Sequence, residues 1–179
     1  MKDTDVIRQV LRGDIESFRL LVEKYNIPVL RFIKNMINDS HICEDITQDV
    51  FLTAYKKLTC FDPHCSNFST WLFVIARNKS INALRKKKPF FISELPQVSD
   101  MENPSDELTK KEFFNELDKI LCTLPIKQRE AFILAEFEKL SYSRIAEIQS
   151  ARIGTVRSRI NRAKKKLRLA LQGLDGEIL

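Results

Sequence analysis

Glycine and proline are scarce in this 179-residue chain, at four and six residues. That argues against a turn-rich β architecture, and the abundant Leu, Ile, Lys, Arg and Glu favour helix. No apolar run approaches the ~18 to 20 residues that a membrane span needs, and the chain opens on charged Met1-Lys2-Asp3. Neither a signal peptide nor membrane insertion is therefore expected, and the expected location is the cytoplasm. No C-x-x-C pair occurs among Cys43, Cys60, Cys65 and Cys122. In a reducing cytosol these read as small buried or half-buried side chains. Cys60, His64 and Cys65, with His41 and Cys43 upstream, could gather a zinc ion, but their spacing matches no standard finger or ribbon. The chain also lacks a nucleophile elbow, a phosphate-cradling glycine loop and a metal-ligand pair at helical spacing, so neither catalysis nor a cofactor is expected.

What is present is positive charge, unevenly placed. The formal net charge is +6 and the pI about 9.2, which points towards a polyanionic partner. Residues 1–88 carry 15 basic against 10 acidic side chains, 89–111 carry 2 against 5, and 112–179 carry 13 against 9. Two basic lobes thus flank an acidic connector.

Periodicity divides the lobes into helices. Thr4 to Leu11 reads as a short amphipathic helix closed by Gly13, with Asp14 placed to cap the next. Phe18, Leu21, Val22 and Tyr25 recur at three-to-four spacing, and Pro28 starts or kinks a further helix through Leu30, Ile33 and Ile37. Asn38, Asp39 and Ser40 form a turn with N-cap oxygens. Glu44 and Asp45 suit the first turn of the following helix, whose stripe is Ile46, Val50, Phe51 and Ala54. From Leu58 to Ser69 the pattern stops in a loop flanked by Phe61 and Phe68. A strongly apolar helix then runs from Thr70 to about Lys87, where Pro89 should stop it.

Residues 89–111 hold Pro89, Pro96 and Pro104 with no clear period and read as a flexible linker. Fully extended, they could reach about 75 Å, two turns of duplex DNA at about 35 Å each. Helix resumes with Phe113, Phe114, Leu117, Ile120, Leu121 and Leu124, then with Ala131, Leu134 and Ala135 after Pro125. Two short elements follow, Tyr142 to Ile148 and Thr155 to Leu171, joined through Ser150 and Gly154. That pattern reads as a helix-turn-helix with a basic second helix. The expected fold is all-α, two small helical domains of residues 1–88 and 112–179 joined by 89–111.

The last helix is the strongest signal. Val156, Ile160, Ala163, Leu167 and Ala170 fall within about 80° of one another at 100° per residue. Arg157, Arg159, Arg162, Lys164, Lys165, Lys166 and Arg168 cover the rest, and no acidic residue occurs from Ile148 through Leu174. Like charges one turn apart repel by a few tenths of a kcal/mol, which an anionic ligand would offset. The start of such a helix reaches base edges, so Arg157, Ser158, Asn161 and Arg162 are candidates for major-groove readout, Arg suiting guanine and Asn adenine. Lys164, Lys165, Lys166 and Arg168 hold phosphates or are simply solvated.

A second feature combines Phe61, Phe68, Trp71 and Phe73 with Arg77, Lys79 and Arg85 through Lys88, the π surfaces and cations that single-strand binding requires. Trp71, Leu72 and Ile75 favour the core over stacking on bases, whereas Phe61, Phe68, Ser66 and Asn67 are expected to be exposed. A third is Glu44, Asp45, Gln48 and Asp49, either a cap and dipole arrangement or a protein-docking face.

In this order the pieces resemble the extracytoplasmic-function sigma factors, over nearly the whole chain. Gly13-Asp14…Phe18, Glu44-Asp45-Ile46-Thr47-Gln48-Asp49-Val50-Phe51 and Phe68-Ser69-Thr70-Trp71-Leu72…Ile75-Ala76-Arg77-Asn78…Leu84-Arg85 resemble that family's second conserved region. Leu124-Pro125…Gln128-Arg129-Glu130-Ala131-Phe132, Ser141-Tyr142…Ile145-Ala146 and Gly154-Thr155-Val156-Arg157-Ser158-Arg159…Arg162-Ala163 resemble its fourth. The resemblance implies that Asp45, Gln48, Asp49 and Phe51 dock on core RNA polymerase. Phe61, Ser66, Asn67, Phe68, Arg77, Asn78, Lys79 and Arg85 would bind and open the minus-10 element of promoter DNA. Thr155, Arg157, Ser158, Asn161 and Arg162 would read the minus-35 element, with Arg152, Arg159, Lys164, Lys165 and Arg168 on phosphates. The linker would thread the polymerase's RNA channel, and an anti-sigma factor is an implied further partner.

The chain departs from the family pattern at Ser150, where the turn usually has Gly, at Arg152, where Pro is frequent, at Gln149 in place of an aliphatic residue, and at Asn82 in place of Asp. Two rival readings are a conventional helix-turn-helix regulator with an N-terminal sensor or dimer domain, and an interaction protein that never meets DNA. The acidic helix and aromatic loop weigh against the first, and the basic last helix weighs against the second.

Overall fold

The computed structural model describes residues 2–37, 39–87 and 117–175. Helix α1 spans Asp3–Leu11 and a short 3-10 turn Ile15–Ser17. Then come α2 (Phe18–Ile37), α3 (Ser40–Lys56), a second 3-10 turn (Leu58–Cys60) and α4 (Phe68–Lys87). After the undescribed 88–116 come α5 (117–123), α6 (Ile126–Glu136), α7 (Tyr142–Gln149) and α8 (Ile153–Asp175). No strand occurs among the described residues, and the all-α, two-domain expectation holds. The linker reading of 89–111, the turn at Asn38 and the apolar positions Phe113 and Phe114 lie outside the described residues.

Local signals explain the first entry into the fold. Gly13 adopts φ +105°, a conformation that costs glycine little and other residues much. Asp14 then caps the 3-10 turn, accepting from the Ser17 amide at 3.3 Å and the Ser17 hydroxyl at 2.6 Å. Asp3 pins α1 to α2, accepting from Lys24 Nζ and the Tyr25 hydroxyl at 2.6 Å each.

Two local expectations need correction. Pro28 does not start a helix but sits inside a single 20-residue α2. An interior proline costs about 3 kcal/mol, but Val29, Phe32, Ile33 and Met36 all become buried within the next two turns. At roughly 1.5 to 3 kcal/mol for each such side chain, tertiary burial wins. Glu44 and Asp45 do not occupy a first turn either, because α3 already begins at Ser40. The dipole effect fades within one turn, so it does not account for these two acids.

In the first domain α2, α3 and α4 pack mutually around Leu21, Phe32, Ile33, Met36, Val50, Ala54, Leu72 and Ala76. In the second, α8 lies across α6 and α7 through Val156, Ile160, Ala163 and Leu167, the inward face that its period indicated. The two domains also touch: α2 packs on α6 and α4 on α7, so that one apolar cluster runs through both.

Candidate nucleic-acid interface

The helix-turn-helix is built by caps. Ser141 opens α7, its hydroxyl accepting from the Arg144 amide at 3.4 Å. Ser150 closes it in the left-handed region at φ 47°, a conformation that costs a non-glycine residue about 1 to 2 kcal/mol. Two amides offset that strain: Ser150 donates to Glu147 O at 3.1 Å and Ala151 to Ala146 O at 2.9 Å. Gly154, expected within the turn, instead lies in the first turn of α8.

With its apolar stripe buried, α8 turns Thr155, Arg157, Asn161, Arg162, Lys165, Lys166 and Arg168 to solvent, Ser158 half-buried beside them. Gly154, Arg157, Ser158, Asn161, Arg162 and Lys165 line one shallow concavity of about 400 Å³. Among the cations assigned to phosphate, Arg152, Lys165 and Arg168 are exposed. Lys164 is exposed but reaches Glu136 at 2.8 Å, which raises its pKa above the ordinary lysine value. Arg159 is half-buried and donates to Gln149 Oε1 at 2.6 Å. Buried Gln149 also donates through Nε2 to Lys127 O at 3.1 Å. The polar departure at 149 is thus satisfied on both sides and ties α6, α7 and α8 together.

The minus-10 candidates divide sharply. Phe61 and Phe68 are not exposed as expected: only 8% and 2% of their surfaces remain accessible. They form one aromatic cluster with Tyr25 and Trp71, ring centroids lying 5.5 to 5.8 Å apart, a spacing that stabilises tilted and edge-on pairs. Burial of these rings is what closes the loop onto the domain. Asn67 and Asn78 are exposed and Ser66 half-buried, while Arg85 projects into solvent. Between the rings the loop is held by Asp62, which accepts from the His64 amide at 2.8 Å and the Cys65 thiol at 3.3 Å. Those contacts hold its carboxyl below the usual range. Lys79 Nζ lies 3.2 Å from Asp49. Arg77 is half-buried, its Nε donating to Glu130 Oε1 at 2.7 Å and its Nη1 to Asn78 Oδ1 at 3.2 Å.

On α3, Asp45, Gln48 and Asp49 are exposed, but Phe51 is buried in the core beneath a surface groove that it helps to line. That groove, about 450 Å³, is lined by exposed Ile15, Leu52 and Tyr55 with Phe18 and Val22. Sequence reasoning singled out Phe18 and Val22 as core positions but missed exposed Ile15, Leu52 and Tyr55 beside them. It also missed Arg129 and Glu130. Burial lifts the Glu130 carboxyl to about 7 despite the neighbouring Arg77, with Gln149 and Arg159 also facing it.

Residues 21–90 match the Sigma-70 region 2 family and residues 114–167 the Sigma-70, region 4 family. The chain is 33% identical to the ECF RNA polymerase sigma factor SigW of Bacillus subtilis, over 94% of this chain and 96% of that one. It is 35% identical to the RNA polymerase sigma-H factor of Pseudomonas aeruginosa, over 97% and 95%. Among solved structures, CnrH in complex with the cytosolic domain of CnrY shares the fold with a TM-score of 0.77, at 23% identity over 96% of this chain and 97% of that one. The sigma factor RpoE of Bartonella quintana, in complex with the anti-sigma factor NepR, gives 0.71 at 27% identity, over 88% and 98%.

Proposed function

Because the chain belongs to the ECF sigma-factor family, transcription initiation factors of RNA polymerase, we propose how its surfaces divide that work. Residues 112–179 read the minus-35 element as duplex, with Thr155, Arg157, Ser158, Asn161 and Arg162 at base edges and Arg152, Lys165 and Arg168 on phosphates. Residues 1–88 dock on core polymerase through Asp45, Gln48 and the apolar groove at Ile15, Leu52 and Tyr55. Ser66, Asn67, Asn78 and Arg85 bind the minus-10 strand, joined by Arg77 and Lys79 once these leave their carboxylate partners. The observation that carries this reading is the exposed face of α8, six cations with no acid on the helix through Leu174. Of the six, Lys164 meets Glu136 on α6, and a polyanion supplies countercharge to the rest of the face.

The protein works in the cytoplasm without chemistry of its own, and its further partner is an anti-sigma factor of the kind bound to the Bartonella relative. No helix among the described residues is long and apolar enough to cross a membrane.

Mixing the full chain with core polymerase and a genomic promoter library tests the assignment. A stoichiometric complex should form and start transcription at promoters that core alone ignores. Tight duplex binding by the free chain, with no binding to core at low salt, would instead make it a conventional regulator.

A further inference from the structure

A cation-lined cavity lies beside the face that α8 offers to DNA. Its volume is about 690 Å³, within the roughly 300 to 1,000 Å³ usual for small-molecule sites. Lys127 and Arg129 line it from α6 and Arg159 and Arg162 from α8, with no acid in the lining among the described residues. Glu130 faces Arg159 but is fully enclosed and stays outside that lining. Leu124, Pro125 and Ile126, together with Leu84 of α4, supply an apolar wall. Arg162 also lines the concavity of the base-reading residues, so the two hollows share one guanidinium.

The polar part of the wall calls for an anion. Arg129 is only 7% accessible, and its guanidinium donates to neutral carbonyls alone, those of Met36, Cys122 and Leu124. Its Nε has no hydrogen-bond partner among the described residues. A buried charge is costly unless it is paired. Helix α6 adds to the same potential, because it starts at Ile126 behind Pro125, which makes no side-chain cap. The first amides of a helix have no partner within it, and with the helix dipole they attract anions. Lys127 and Arg162 are exposed at this cavity.

The apolar part selects among anions. An inorganic ion would leave Leu124, Pro125 and Ile126 uncovered, whereas a phosphate carried on a flat, weakly polar body covers both kinds of surface. A phosphoryl group carries at most about two negative charges, so four cations favour two phosphates over one.

We propose that this cavity binds a nucleoside diphosphate, its phosphates at the start of α6 among Lys127, Arg159 and Arg162 and its base against Leu124, Pro125 and Ile126. Holding Arg162 there removes it from the minus-35 bases, so the nucleotide opposes promoter binding. Only that consequence rests on the promoter-reading assignment; the site itself does not.

Calorimetric titration of the full chain with ADP tests the site, with adenosine and inorganic pyrophosphate as its two halves. ADP should bind at one site per chain, and each half should bind more weakly by about tenfold or more, the worth of one set of charge-assisted contacts. Lys127→Glu should weaken ADP by a similar factor. It reverses one cation of the cavity while placing an acid in a helix's first turn, where the dipole favours it, so the fold is preserved. Lys166→Ala, exposed on α8 and outside the cavity, should bind ADP as wild type does. Absence of ADP binding, or pyrophosphate binding as tightly as ADP, overturns the nucleotide site. So does a loss in Lys166→Ala equal to that in Lys127→Glu, which would reduce the effect to general attraction by α8. In competition binding of holoenzyme to promoter duplex, saturating ADP should raise the apparent Kd by on the order of tenfold with wild type and not with Lys127→Glu. If ADP binds as described but leaves promoter affinity unchanged, the site stands and its opposition to promoter binding falls. If the holoenzyme shows no promoter selectivity at all, the promoter-reading assignment falls while the ADP titration still decides the site.

Discussion

The cations of α8 and those of the first domain are the same residue types in opposite situations. On α8, Arg157, Arg162, Lys165 and Arg168 project from a helix with no acid on it through Leu174. Across α2 and α4, Arg31, Arg77 and Lys79 each end on a carboxylate, two of them belonging to the other domain. A surface whose charges meet no carboxylate among the described residues is ready for an external anion at any time. One whose charges are internally paired must first be released, so its availability depends on the arrangement of the domains. The aromatic rings follow the same division: those once assigned to stacking on bases are engaged within the protein.

Phe68 tests that division most strongly. Its ring is enclosed by Tyr25, Phe61 and Trp71, and Phe68→Ala should destabilise the chain by about 3 to 5 kcal/mol, the range for deleting a buried aromatic side chain. Urea denaturation measures this directly. Unchanged stability together with lost promoter opening, read by permanganate reactivity of the melted strand, would return Phe68 to the DNA and erase the contrast between the two surfaces.

Sequence reasoning succeeded where one element carried its own evidence. The period of Val156, Ile160, Ala163 and Leu167 and the single sign of the remaining side chains both lie within α8, so both its inner and outer faces were legible. It failed where distant residues decide the outcome. The fate of Phe61 and Phe68 depends on Tyr25, more than thirty residues away. Glu130 is enclosed and meets Arg77 from another helix, 53 positions earlier. At Pro28 a sound local rule lost to four buried side chains, and at Glu44 and Asp45 the helix had simply begun a turn sooner. The apolar groove at Ile15, Leu52 and Tyr55 departs from amphipathic logic: Leu52 and Tyr55 face outward on a helix that already buries Val50, Phe51 and Ala54, and Ile15 stands on a 3-10 turn with no buried residue.

Glu130 sits where the two surfaces meet, and its ionisation gives the next prediction. Its carboxyl lies at about 7 in the folded chain against an ordinary 4.5, because burial outweighs Arg77 on α4, Gln149 on α7 and Arg159 on α8. Between those values the folded chain keeps a proton that the unfolded chain has released. The stabilisation is therefore full below about 4.5 and is lost as pH rises through 7. The shift corresponds to roughly 3 kcal/mol. Denaturation midpoints of wild type, minus those of Glu130→Gln, should fall over that window. A constant difference from pH 4 to 8 would mean that the seam leaves the carboxyl in an ordinary environment.

The smallest effect separates the two roles within α8 itself. Arg162 and Lys165 are both exposed and line the same concavity, but only a guanidinium presents the fork that fits guanine's two acceptors. Arg162→Ala should reduce discrimination at one position of the upstream element by about 1 to 3 kcal/mol while leaving other positions alone. Lys165→Ala should weaken binding to every sequence alike and lower the salt dependence by about one released counterion. Competition binding of holoenzyme to singly substituted duplexes, repeated at several salt concentrations, distinguishes the two. If Arg162→Ala produced the uniform loss instead, α8 would hold the duplex there by charge alone, and sequence readout would fall to Arg157 and Asn161, nearer the start of the helix.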